Sequence, residues 1–155
     1  MFLAIHATVG TLIGTHASNP IVAFFLSFIS HFILDAIPHG DEKLEIDFQT
    51  NKNKKKITRF CLIVGGDVIV TTVATLLAVF LSDSTNIWSI SCGIVGALLP
   101  DILQAAYLYS KHPWLKSFFD LHNALHYKEG RFSMPLRYGY LLQLSLLISI
   151  ILIFK

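Results

Sequence analysis

The chain has 155 residues, 54% of them hydrophobic and only 14% charged, with a mean hydropathy of +0.61 and a formal net charge of +2. Soluble domains devote about a quarter of their residues to charge, so this composition excludes an ordinary water-soluble domain and points to lipid as the solvent. The small net charge argues against a nucleic-acid partner. Cys61 and Cys92 sit inside apolar stretches with no CxxC pair, which argues against a disulfide framework and for two small buried hydrophobes.

Taken in chain order, the first apolar segment is a helix from Phe2 to about Thr15, short for a full crossing. It lacks a basic leading region and carries His6 inside its apolar run, so a retained helix is expected rather than a secretion signal. The turn His16-Ala17-Ser18-Asn19 leads into a second helix, Pro20 to about Ile37, with Asn19 as N-cap and Pro20 in the first helical position. A polar loop from Pro38 to about Lys56 follows. The third helix spans about Ile57 to Leu81, and the fourth about Ile87 to Tyr109. Pro113 to Tyr127, mixing aromatic and polar residues, reads as a surface helix; a last apolar helix runs from about Leu136 to Phe154. The expected fold is a single all-α domain over residues 1–155, a membrane bundle of about five membrane helices plus a short interfacial helix.

The basic residues orient it. Lys43, Lys52, Lys54, Lys55, Lys56 and Arg59 lie between the second and third helices, and Lys111, Lys116, Lys128, Arg131 and Arg137 between the fourth and the last. The other two connections carry no Lys or Arg. By the positive-inside rule the chain is a multi-pass protein of the inner (cell) membrane, with a cytoplasmic N-terminus and an external C-terminus.

An ionisable side chain within a membrane span costs about 2.5–3.5 kcal/mol on insertion scales. On this topology His6, His31, Asp35, Asp67 and Asp101 all fall toward the cytoplasmic face, although Lys and Arg alone set the orientation. His31 and Asp35 are one turn apart on one helix face, and Asp67, Thr71 and Thr75 form a polar stripe. Gly65 and Gly66 beside Asp67, Gly93, Gly96 and Ala97 before Asp101, and Gly10 and Gly14 near His6 would allow close backbone approach. The surface helix adds His122 and His126, again one turn apart. Two imidazoles, or an imidazole and a carboxylate, at this spacing let one helix offer two ligands to a metal. The loop cluster His39, Asp41 and Glu42 reads either as further ligands or as solvated residues. His16, on the opposite side, and His112, at the surface, are left out.

His6, the run Ser30-His31-Phe32-Ile33-Leu34-Asp35 leading into Pro38-His39-Gly40-Asp41, Leu99-Pro100-Asp101, and His122-Asn123-x-x-His126 together resemble the predicted membrane-bound metal-dependent hydrolases of bacteria and archaea. The resemblance covers nearly the whole chain and implies a divalent metal and hydrolysis. The ligand pattern is also similar to that of zinc-dependent phospholipase C, without that family's N-terminal tryptophan ligand.

Mixed imidazole and carboxylate donors suit zinc best, with manganese or iron as alternatives. The expected metal ligands are His6, His31, Asp35, Asp67, Asp101, His122 and His126, with Asp41 or Glu42 as the uncoordinated acid that shuttles a proton. A site at this depth, flanked by Lys and Arg, suits a phospholipid or a lipid-linked phosphate ester met laterally in the bilayer. Two rival readings stand beside it. Intramembrane Asp and His also mark paths of metal-ion or proton transporters and channels, and buried polar pairs also serve as structural glue without any metal.

Overall fold

The computed structural model describes residues 1–40, 54–82, 84, 86–126 and 135–154. Six helices lie within them: α1 (Leu3–His16), α2 (Pro20–Asp35), α3 (Lys54–Leu81), α4 (Ile87–Ser110), α5 (Pro113–His126) and α6 (Leu136–Ile153). The helix starts follow local chemistry. Asn19 accepts from the backbone N–H of Ile21 (2.8 Å) and Val22 (3.4 Å), with Pro20 supplying the first helical φ of α2. Asn86 caps α4 through Ser89 N–H at 3.2 Å. The start of α1 is capped from outside: Asp67 on α3 accepts the N–H groups of Leu3 (2.7 Å) and Ala4 (3.4 Å), which have no partner within their own helix.

Three of these helices are long and apolar enough to cross a membrane: Ile57–Leu81 within α3, Ile87–Ser110, and Leu136–Ile153. That is fewer than the five membrane helices expected. With 14 and 16 residues, α1 and α2 rise only ~21 and ~24 Å, less than the ~30 Å hydrocarbon core. Apolar composition alone does not carry a helix through the bilayer. Exposed apolar side chains on the outer side of α3, among them Leu62, Ile69, Leu76 and Phe80, are the surface that lipid would cover. Cys61, expected to be buried, is on this exposed surface, whereas Cys92 is partly covered.

The short helix α1 is the centre of the bundle and packs against α2, α3, α4 and α6. Its inner-facing residues are small, which brings backbones together. A Cβ on Gly10 would lie 2.6 Å from the Gly93 carbonyl oxygen, so the α1–α4 crossing is built on glycine against glycine. Gly96 meets the Phe24 backbone of α2 in the same way. Gly65 and Gly66, by contrast, have open space around them and mediate no close approach. The buried hydroxyls of Thr8 and Thr11 donate to the Ala4 and Ala7 carbonyls one turn back, which satisfies them inside α1. Gln143 of α6 binds Phe2 N–H through its carbonyl oxygen (2.7 Å) and donates to His39 O (3.1 Å), tying α6 to both the start of α1 and the turn after α2.

Candidate metal centre

Four side chains from three helices converge beside the start of α1. His31 and Asp35 come from the last two turns of α2, Asp101 from α4 and His122 from α5. One ligand atom from each lies within 4.8 Å of the others. His31 Nε2 is 3.0 Å from Asp35 Oδ2, 3.6 Å from Asp101 Oδ1 and 3.2 Å from His122 Nε2. His122 Nε2 is 3.6 Å from Asp35 Oδ2 and 3.9 Å from Asp101 Oδ1. A tetrahedral metal with ligand bonds of ~2.0–2.2 Å holds its donors ~3.3–3.6 Å apart. The observed separations bracket that range, so the group is able to bind a metal ion.

The hydrogen bonds explain how the donors are aimed. His31 Nδ1 is 2.8 Å from the Ala97 carbonyl oxygen. A carbonyl can only accept, so Nδ1 carries the hydrogen and the neutral ring presents its lone pair at Nε2. That lone pair faces a carboxylate oxygen at 3.0 Å. Two acceptors at this distance repel unless a proton or a metal cation stands between them. A proton can bridge one such pair, whereas a single divalent cation can serve all four donors together. The Ala97 carbonyl lies in the turn before Pro100 of α4.

His122 reaches the cluster because α5 is pinned to its neighbours. Leu115 is buried, Gln104 Nε2 of α4 donates to Asn123 Oδ1 at 3.3 Å, and the His122 ring packs edge-on against Phe32 at 5.8 Å. Burial pushes the His122 imidazole down to about 4, so near neutrality it is unprotonated and able to ligate. His31, Asp35 and His122 are almost wholly buried, while Asp101 keeps 24% of its side chain accessible. Asp101 is the edge from which the cluster can be reached.

His6 stands just behind this group. Its ring stacks on His31 with centroids 4.0 Å apart, and its Nε2 lies 3.1 Å from Asp35 Oδ1. The α-amino group of Met1 donates to the same oxygen at 2.8 Å. Asp35 is thus shared, one oxygen toward His6 and Met1 and the other toward His31 and His122.

The remaining candidates lie elsewhere. Asp67 is at the start of α1 as its cap, outside the four-residue group, and Thr71 of its stripe donates back to the Asp67 carbonyl. His126 ends α5, and its side chain lies outside the described residues, as do Asp41 and Glu42 altogether. His39 is buried but bonded through Nδ1 to Ile37 O at 2.6 Å, beside Gly139 of α6. His16 bonds within the far end of α1. The positioning groups Ala97 O, Gln104 and Gln143 were not singled out in the sequence. A backbone carbonyl leaves no trace there, but two glutamines inside apolar helices were a visible signal. Comparison with protein-family models, with curated proteins and with solved structures finds nothing that matches this chain.

Proposed function

We propose that the chain is a membrane-embedded, metal-dependent hydrolase that acts on a phospholipid or lipid-linked phosphate ester at the cytoplasmic leaflet. The observation that carries the reading is the convergence of two imidazole nitrogens and two carboxylates, supplied by α2, α4 and α5, within 4.8 Å. Such a set is expensive to build in an apolar bundle, and its donor chemistry suits zinc, with manganese or iron next. The similarity of its sequence motifs to the membrane-bound metal-dependent hydrolases points the same way.

In this reading His31, Asp35, Asp101 and His122 hold the ion. When bound, a divalent cation acidifies water and offsets charge on a phosphoryl oxygen. His6 holds Asp35 through its outer oxygen, and the Ala97 carbonyl holds His31 in the tautomer whose Nε2 faces the site. The accessible edge of Asp101 is where an ester would approach. Asp41 or Glu42 is the proposed proton shuttle. The basic residues Lys54, Lys55, Arg59, Lys111, Lys116 and Arg137 support, through the positive-inside rule, a cytoplasmic location for this end of the bundle.

A transporter would need the polar groups to continue toward the far end of α1. There the backbones of α1 and α4 meet at Gly10 and Gly93, and at Gly14 against Ile90, which closes the space between those two helices. The test is hydrolysis of a phospholipid mixture in detergent micelles by the purified chain. Release of water-soluble phosphate ester should stop with chelator, return with zinc, and fall more than about tenfold in His122→Ala. Hydrolysis indifferent to both chelator and His122→Ala, or no hydrolysis at all, would contradict the reading.

A further inference from the structure

On the opposite side of α1 from the metal-ligand cluster lies a second feature that the hydrolase reading does not use. A cavity of about 410 Å³ runs between α3 and α6, walled by Leu62, Ile63, Gly66 and Val70 on one side and Leu144 and Leu147 on the other. Ala4 and Ile5 form its floor, while His6, next in α1, turns away to Asp35. Its polar neighbours are already engaged: Asp67 accepts from Leu3 and Ala4, and Gln143 bridges Phe2 and His39. The surface offered is therefore apolar.

This groove continues into a charged one. A further cavity, about 550 Å³, is lined by Lys54, Lys55, Thr58 and Arg59 and shares Leu62 and Ile63 with the first. The apolar span of α3 starts at Ile57, so the three cations stand at the end of a membrane helix, the level at which head groups lie. An acyl-sized apolar channel thus opens onto a cationic mouth at head-group depth. We infer that the α3–α6 groove is a binding site for one anionic phospholipid, its phosphate on Lys54, Lys55 and Arg59 and an acyl chain between Gly66 and Leu144. Charge selects the head group, and the groove holds the chain. The site is separated from the metal-ligand cluster by α1, and its occupancy does not depend on hydrolysis.

Gly66 supplies the means of testing it. A Cβ placed there meets nothing within 4 Å, and the same holds for Gly65, which does not line the cavity. Retention of phosphatidylglycerol and of phosphatidylcholine with identical acyl chains would be compared by native mass spectrometry of the full chain. The wild type should retain the anionic lipid at least about tenfold better, each basic side chain contributing about fivefold. The triple variant Lys54→Gln, Lys55→Gln, Arg59→Gln should bring the two lipids within about twofold of each other. Gly66→Leu should lower retention of both lipids, with Leu144→Trp on the exposed α6 wall as a second filling variant, while Gly65→Leu should match wild type. Equal retention of the two lipids by wild type, a preference surviving the triple variant, undiminished retention in both filling variants, or an equal loss in Gly65→Leu would overturn the inference.

Discussion

At the residue scale the centre depends on a division of labour between two aspartates that look alike in the sequence. Asp101 faces two imidazoles, whereas Asp67 faces two backbone N–H groups. Their substitutions should separate accordingly. Asp67→Ala removes the cap of α1 and should lower stability by about 1 kcal/mol with metal content unchanged, checked by thermal unfolding alongside elemental analysis. Asp101→Ala should lower bound metal by more than about tenfold while helical content by circular dichroism stays near wild type. The pairing of His31 with Asp35 was legible because one-turn spacing on a helix dictates a shared face. The role of Asp67 was not, because it is decided by where the start of another helix docks, a long-range fact that no spacing within α3 encodes.

At the element scale, α1 is too short to cross a bilayer, yet it is the helix around which the others assemble. Its glycine contact with α4 sets the approach of the helices that carry His6 and Asp101, as Gly96 against Phe24 does for the helix that carries His31. Gly93→Leu drives a side chain into the Gly10 backbone, and overpacking of this kind costs about 1–3 kcal/mol. A lowered midpoint in thermal unfolding, with weakened metal retention, is the expected result. Gly65→Ala meets open space and should leave the midpoint unchanged or raise it, since alanine is the better helix former. The glycines of α1 and α4 could be read as contact residues, but Gly65 and Gly66 carry the same sequence signal and touch no neighbouring helix, Gly66 lining the cavity between α3 and α6 instead. Small residues permit close packing; only a partner helix on that side uses the permission.

For the molecule as a whole, helix order and the three spans follow from apolar runs broken by Asn19, Asn86 and Pro113, which the sequence displays openly. The reduction from five expected spans to three is a matter of length: with 14 and 16 residues, α1 and α2 stop short of full bilayer thickness, α1 at the turn before Asn19 and α2 beside the cluster. The proposed orientation puts the starts of α3 and α6 and the end of α4 on the cytoplasmic side. Single cysteines placed at Lys54 and Lys111, in a chain with Cys61 and Cys92 replaced, should both resist a membrane-impermeant maleimide added outside intact cells and react after lysis. Labelling of either from outside would reverse the orientation.

Whether His31, Asp35, Asp101 and His122 form one metal centre is decided by elemental analysis of the purified, detergent-solubilised chain. Close to one equivalent of a transition metal, zinc first, should accompany the wild type and be lost from His31→Ala, which still folds as a helical protein. Absence of stoichiometric metal in the wild type, or an unchanged content in His31→Ala, would contradict such a centre.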